Sequence, residues 1–271
     1  MPLFNNKMTE RKSEYINLYV MGCSMLVFSF RNELSTKDLI LRNSIAKSIS
    51  QLQSINLLNS AGQLLDCFIL YRSMVDRLGH LYYLEKTNSY SNFDDWSFVR
   101  QFDSNNNSLS DLNFKDKIDK NLFVPKKEDK DRYKSLQKSG TSWKRPNIKE
   151  EFKEKGYYFL YNFGYDHASS HVHPMANDGM IEFYRMLKNP PSVITDHFNY
   201  QTKIILANSS LVSSMTVNEC LNFSSYRWIR IAFDFINSFR NAINDKPNEF
   251  ESNYLKMQSF YNENKFLIEP N

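Results

Sequence analysis

Residues 165–178 read YDHASSHVHPMAND, and three of the chain's five histidines, His167, His171 and His173, fall inside this stretch. Imidazoles move protons near neutral pH and ligate metals. The stretch therefore reads in three ways: a catalytic stripe, a metal pair or a polar seam in a helical core. At helical spacing Tyr165, Ser169 and His173 stand at i, i+4 and i+8 and share one face. His167 and His171 share another face, at the spacing that lets two imidazoles hold one ion. The zinc-protease pattern HExxH is absent, because Ala168 stands where its glutamate would be, and no cysteine is near. No metal and no cofactor are assigned.

A second polar stripe interrupts the apolar run LLDCFILYRSMVDRLGHLYYLEK. Arg72, Asp76 and His80 stand at i, i+4 and i+8 and share one helix face. A buried arginine costs several kcal/mol unless it is paired; Asp76 is placed to pair with it and His80 to extend the network. Two such stripes on two apolar helices are expected to face each other. In the catalytic reading His173 and His80 handle protons, Arg72 holds an anion or a developing negative charge, and Asp76 and Tyr165 orient them. Ser169 is a nucleophile only if a base reaches its hydroxyl, and no GxSxG elbow surrounds it. In the bland reading the same residues fix the register of two helices.

These residues need helices to position them, and the composition supplies helices. Only 7 Gly and 8 Pro occur in 271 residues, too few for the tight turns of an all-β chain, while 41% hydrophobic residues suffice for a core. No strand pattern and no internal repeat is found. The reading is all-α: a single domain over 1–271, an irregular bundle of about eight helices with a basic, loop-rich insertion at 103–146. The central helix is expected over 60–86. Ser35 or Thr36 caps the next-earlier helix, whose apolar face is Leu39, Ile45, Ile49, Leu52 and Ile55. One helix is expected over 147–173, ended by Pro174, which disfavours the α conformation of the residue before it.

Charge is mild overall at +4 but uneven, with 14 Lys and Arg against 8 Asp and Glu between Lys115 and Lys155. Such a segment is either a solvated connection or a polyanion-binding surface. Lys126, Lys127, Lys144 and Arg145 are its candidate nucleic-acid contacts. Cys23, Cys67 and Cys220 are widely spaced with no CxxC pair, as in a reducing, cytoplasmic compartment. The N-terminus has no apolar signal core. The most apolar stretch, residues 18–30, falls short of the roughly 20 residues a membrane span requires. There is no GxGxxG or Walker-type loop.

The stretch SWKRPNIKEEFKEKGYYFLYNFGYDHASSHVHP resembles an uncharacterised bacterial family of helical domains of unknown function. That family shows a Trp, a basic or small turn, a helix start and then Tyr-x3-Ser-x3-His-Pro; here these are Trp143, Lys144, Arg145, Ile148, Tyr165, Ser169, His173 and Pro174. Its upstream Arg-Ser-x-x-Glu is matched by Arg72 and Ser73, with Asp76 in place of Glu. The resemblance spans about residues 40–190 and implies an all-helical intracellular bacterial protein, without an established activity. A looser likeness is to the HEPN helical ribonucleases, which carry Arg-x4–6-His on a helix. Here seven residues separate Arg72 from His80 and two separate Arg77 from His80, so the pattern itself is not met.

The leading expectation is an RNA-acting, metal-independent ribonuclease-like effector of bacterial stress or phage defence. The alternative is a non-catalytic helical interaction or scaffold subunit. Its stripes would be internal, and Trp228, Ile229, Phe233 and Phe239 on its C-terminal helices would dock a protein partner or a second copy. A metal-binding helical protein is the third reading.

Overall fold

A computed structural model describes residues 7–29, 34–110, 125–170, 172–173, 175–176, 179–188, 191–225, 230–246 and 249–264. His171, Pro174, Trp228 and Ile229 lie outside these residues. Every regular element among the described residues is helical: α1 (Lys7–Ser29), α2 (Thr36–Ser60), α3 (Leu64–Thr87), α4 (Tyr90–Ser110), α5 (Lys127–Ser139), α6 (Ile148–Glu154), α7 (His167–Ser169), α8 (Met180–Met186), α9 (Ser192–Phe223), α10 (Arg230–Ile243) and α11 (Phe250–Asn264). A π-helix over Leu160–Asp166 leads directly into α7. Eleven α-helical segments among the described residues replace the expected eight. The chain groups into two compact units, residues 1–82 with 147–271, and residues 83–146.

In the first unit α2 packs on α1 and α9, and α10 packs on α9, α1 and α11. The buried face of α2 is Leu41, Ile45, Ile49, Leu52 and Ile55. Leu39 is 36% exposed: it lies six residues before Ile45, off the three-or-four spacing that keeps side chains on one face. Ser35 is the N-cap and accepts the Asp38 N–H at 3.1 Å. α1 and α10 meet at Gly22, where a Cβ would stand 2.4 Å from the Phe235 ring. Tyr19 stacks on Phe239 with ring centroids 3.9 Å apart. Phe239 is therefore fully buried in this core and does not face a docking partner, whereas Phe233 is half-buried.

The expected single helix over 147–173 is broken in two. Gly156 takes φ +75°, and Tyr157 N–H bonds to Phe152 O at 2.8 Å while Gly156 N–H bonds to Lys153 O at 3.1 Å. These bonds close α6 with a left-handed turn that glycine adopts at no steric cost. The chain restarts as the π-helix, whose His167 N–H reaches Asn162 O, five residues back.

In the second unit the described part of 103–146 is largely helical: α4 runs to Ser110, and residues 127–139 form α5. α5 lies against α4 through Arg132, which bonds Asp94 and Asp95 at 2.7 Å each, and through Tyr133, which stacks on Phe102 with centroids 4.0 Å apart. Trp143 is buried against Phe93 and Trp96, so this motif tryptophan is core of the unit.

Candidate functional site

The polar stripe of α3 stands on an otherwise apolar helix. Tyr71, Met74, Val75 and Leu78 are buried, while Arg72, Asp76 and His80 are half-buried and Arg77 is exposed. Two glycines let other segments approach α3 closely. At Gly79 a Cβ would meet Ile148 and Phe152 of α6 at 3.0–3.2 Å. At Gly164, in the π-helix, it would meet Val75 Cγ2 at 2.6 Å and Tyr71 Oη at 3.0 Å. A π-turn inserts an extra residue into the helical ladder and is frequent at functional positions. Here it seats Gly164 on α3 and brings the following turn to Arg72.

The two stripes do meet. Arg72 Nε donates to Ser169 Oγ at 2.7 Å, and Arg72 Nη2 donates to Tyr165 Oη at 3.1 Å. The guanidinium carbon sits 4.5 Å from the Tyr165 ring centroid, so cation–π attraction adds to the two bonds. Ser169 Oγ in turn donates to Tyr165 O. With its proton on a backbone carbonyl and its lone pair facing a cation, Ser169 bridges Arg72 and the turn.

Asp76 faces His80. His80 Nδ1 lies 2.9 Å from Asp76 O and 3.6 Å from Asp76 Oδ2. A carbonyl oxygen only accepts, so Nδ1 carries the proton and, in the neutral ring, Nε2 is the basic nitrogen. One turn of α3 thus fixes the orientation of the His80 ring.

His173 is not gathered into this group. The pairings run antiparallel: Phe68 with His167, Arg72 with Tyr165 and Ser169, Val75 with Gly164 and Tyr82 with Tyr157. His173 follows Ser169 by one turn, its N–H on Ser169 O at 3.3 Å. His80 lies eight residues past Arg72, about 12 Å along the helix. His173 is also exposed.

Sequence spacing missed an aromatic ladder beside Arg72. Tyr165 stacks on Tyr161 at 5.6 Å, and Tyr161 on Tyr158 at 5.9 Å. Lys149 Nζ lies 5.8 Å from the Tyr161 ring and 6.0 Å from Tyr158. Its signal is the Tyr-x2-Tyr-x3-Tyr spacing of Tyr158, Tyr161 and Tyr165. Of the other candidates, Lys126, Lys127, Lys144 and Arg145 are exposed in the second unit. The ring of His167 packs edge-on against Phe68 at 5.7 Å. Among the described residues no three His, Cys, Asp or Glu side chains group as metal ligands, and no helix is long and apolar enough to cross a membrane.

The fold and this seam define an all-helical protein in which a central helix is clasped by a π-helical turn through one arginine. Residues 38–187 match the family of unknown function DUF5677, and the chain belongs to that family. No curated protein and no solved structure matches it.

Proposed function

We propose that this chain is a non-catalytic helical interaction subunit whose polar seam is structural. The observation that carries this reading is the state of Arg72. Both Nε and Nη2 are committed to hydroxyls of the opposing turn, and the Tyr165 ring covers the guanidinium. An arginine so engaged ties two segments that are far apart in sequence, and a part-buried polar tie of this kind helps to specify register. The exposed position of His173 also fits a seam better than an active site.

A second reading is favoured by the Asp76–His80 pair. It makes the chain an RNA-acting, metal-independent ribonuclease-like effector of bacterial stress or phage defence. His80 Nε2 would take the proton of a ribose 2′-hydroxyl. The 2′-oxygen would attack the adjacent phosphorus, the P–O5′ bond would break, and the leaving oxygen would take a proton from water. The products are a 2′,3′-cyclic phosphate and a 5′-hydroxyl. Arg72, about 12 Å along α3 from His80, would have to leave Ser169 and Tyr165 to hold the phosphate.

One experiment separates the two. Purified protein is incubated with labelled total RNA in EDTA and in Mg²⁺, beside His80→Ala and Arg72→Ala variants whose folding is checked by circular dichroism. The interaction reading expects no cleavage, or cleavage equal in all three proteins. Cleavage that survives EDTA and disappears in folded His80→Ala would overturn it in favour of the ribonuclease reading.

A further inference from the structure

The outward face of α5 carries a segregated row of lysines. Lys127, Lys130, Lys134 and Lys138 are spaced three, four and four residues apart. At about 100° per residue they fall within an arc of about 80°. The row runs about 16 Å along the helix at 1.5 Å per residue. All four are exposed. The opposite side of α5 is occupied: Arg132 and Tyr133 hold α4, and Asp129 accepts the Lys126 N–H at the helix start.

None of the four lysines forms an ion pair with a described residue, although the helix carries Glu128, Asp129 and Asp131. A surface helix stabilised by its own charges would place acidic residues three or four positions from its lysines on the same face. Here Asp131, four residues from Lys127 and three from Lys134, is the one acidic residue of α5 so placed, and among the described residues it forms no ion pair with either lysine. Four like charges in a row repel one another and cost stability, a cost that a polyanion lying along the row would reverse.

We propose that this face of α5 binds the phosphodiester backbone of a nucleic acid, with Lys127, Lys130, Lys134 and Lys138 each reaching a phosphate. The inference does not use the Arg72 seam and stands whether or not the seam is catalytic. The residues flanking the row are Glu128, Asp131, Ser135 and Gln137, so a membrane surface is the poorer fit: a helix lying on lipid buries Trp, Phe or Leu beside its cations.

The test is fluorescence anisotropy of labelled single-stranded RNA, double-stranded RNA and double-stranded DNA oligomers across a potassium chloride series. Wild type is compared with K127Q/K130Q/K134Q/K138Q. The charge-matched control is K47Q/K153Q/K188Q/K203Q, four exposed lysines of the other unit. Four phosphate contacts give a log–log salt slope of about −3 on a single strand. The expected result is that the α5 variant, folded by circular dichroism, loses at least tenfold in affinity and most of that slope on at least one nucleic acid, while the control keeps both. The three arms identify which backbone is held. An equal loss in both variants, or no binding to any of the three at low salt, overturns the proposal. So does lysine-dependent binding confined to phosphatidylserine vesicles.

Discussion

Arg72 Nε and Ser169 Oγ meet at 2.7 Å across 97 residues of sequence. This bond, with the Arg72–Tyr165 contact, is the register pin between α3 and the π-helical turn. Ser169→Ala is expected to lower unfolding free energy by about 1–3 kcal/mol, the range for a hydrogen bond to a charged group. Arg72→Ala should cost at least as much. Chemical denaturation of both singles and the double should show non-additivity of about 0.5–3 kcal/mol. Strict additivity would mean that the pin contributes nothing to the fold.

The pin depends on how closely Gly164 approaches α3. A methyl there would stand 2.6 Å from Val75 Cγ2, and overpacking of this kind costs about 1–3 kcal/mol. Gly164→Ala is therefore expected to lower the melting temperature. Adding Val75→Ala, which removes the clashing methyl, should make the double less destabilised than the sum of the singles. A Gly164→Ala protein as stable as wild type would show that the π-turn is not seated this way.

Asp38 at the start of α2 gives an acid-dependent prediction. Burial would raise its pKa, but the Ser225 and Ser35 hydroxyls and the Ser225 N–H outweigh burial and hold it below the ordinary carboxylate value. The Ser225 N–H donates to Oδ1 at 2.9 Å, and both hydroxyls bond Oδ2. A depressed folded-state pKa contributes stability above the unfolded value of about 3.9 and loses it as pH falls through the folded value. The stability gap between wild type and Asp38→Asn should be full at neutral pH and shrink in urea melts taken below about pH 4. A gap independent of pH would contradict this.

Glu219 on α9 carries the opposite sign. Burial raises its pKa, and the Lys155 charge, an Asn222 hydrogen bond and the Arg240 charge only partly offset this. A raised carboxylate pKa weakens the folded state at pH values above it, and the penalty fades as pH falls through it. Glu219→Gln should therefore stabilise the protein at neutral pH, with the gain in melting temperature diminishing in acid. A loss of stability at neutral pH would mean that Lys155 and Arg240 dominate.

The all-helical class was legible from scarce glycine and proline and from apolar periodicity, and the α2 face came out nearly as read, since Ile45, Ile49, Leu52 and Ile55 are all buried. Both polar stripes were legible because i, i+4 spacing defines a helix face whatever that face meets. Other features were hidden for identifiable reasons. Gly156 breaks the 147–173 helix through a positive φ, which a lone glycine inside an apolar helical pattern does not announce. α5 was hidden by its lack of any buried residue, since apolar periodicity is the signal by which helices are found. The same polar composition is what leaves its lysine row exposed.

What the sequence determined by itself is membership: which residues are polar on apolar helices, which glycines and serines sit among them, and that the chain is built of helices. What only the tertiary structure decided is direction and company. Antiparallel pairing of α3 with the π-turn brings Tyr165 and Ser169 to Arg72. The packing of α10 on α1 buries Phe239, and Trp143 closes on Phe93 and Trp96. The reason is physical. Helical periodicity is set by local backbone geometry, whereas which face meets which, and in which sense, depends on close approach between residues far apart in the chain.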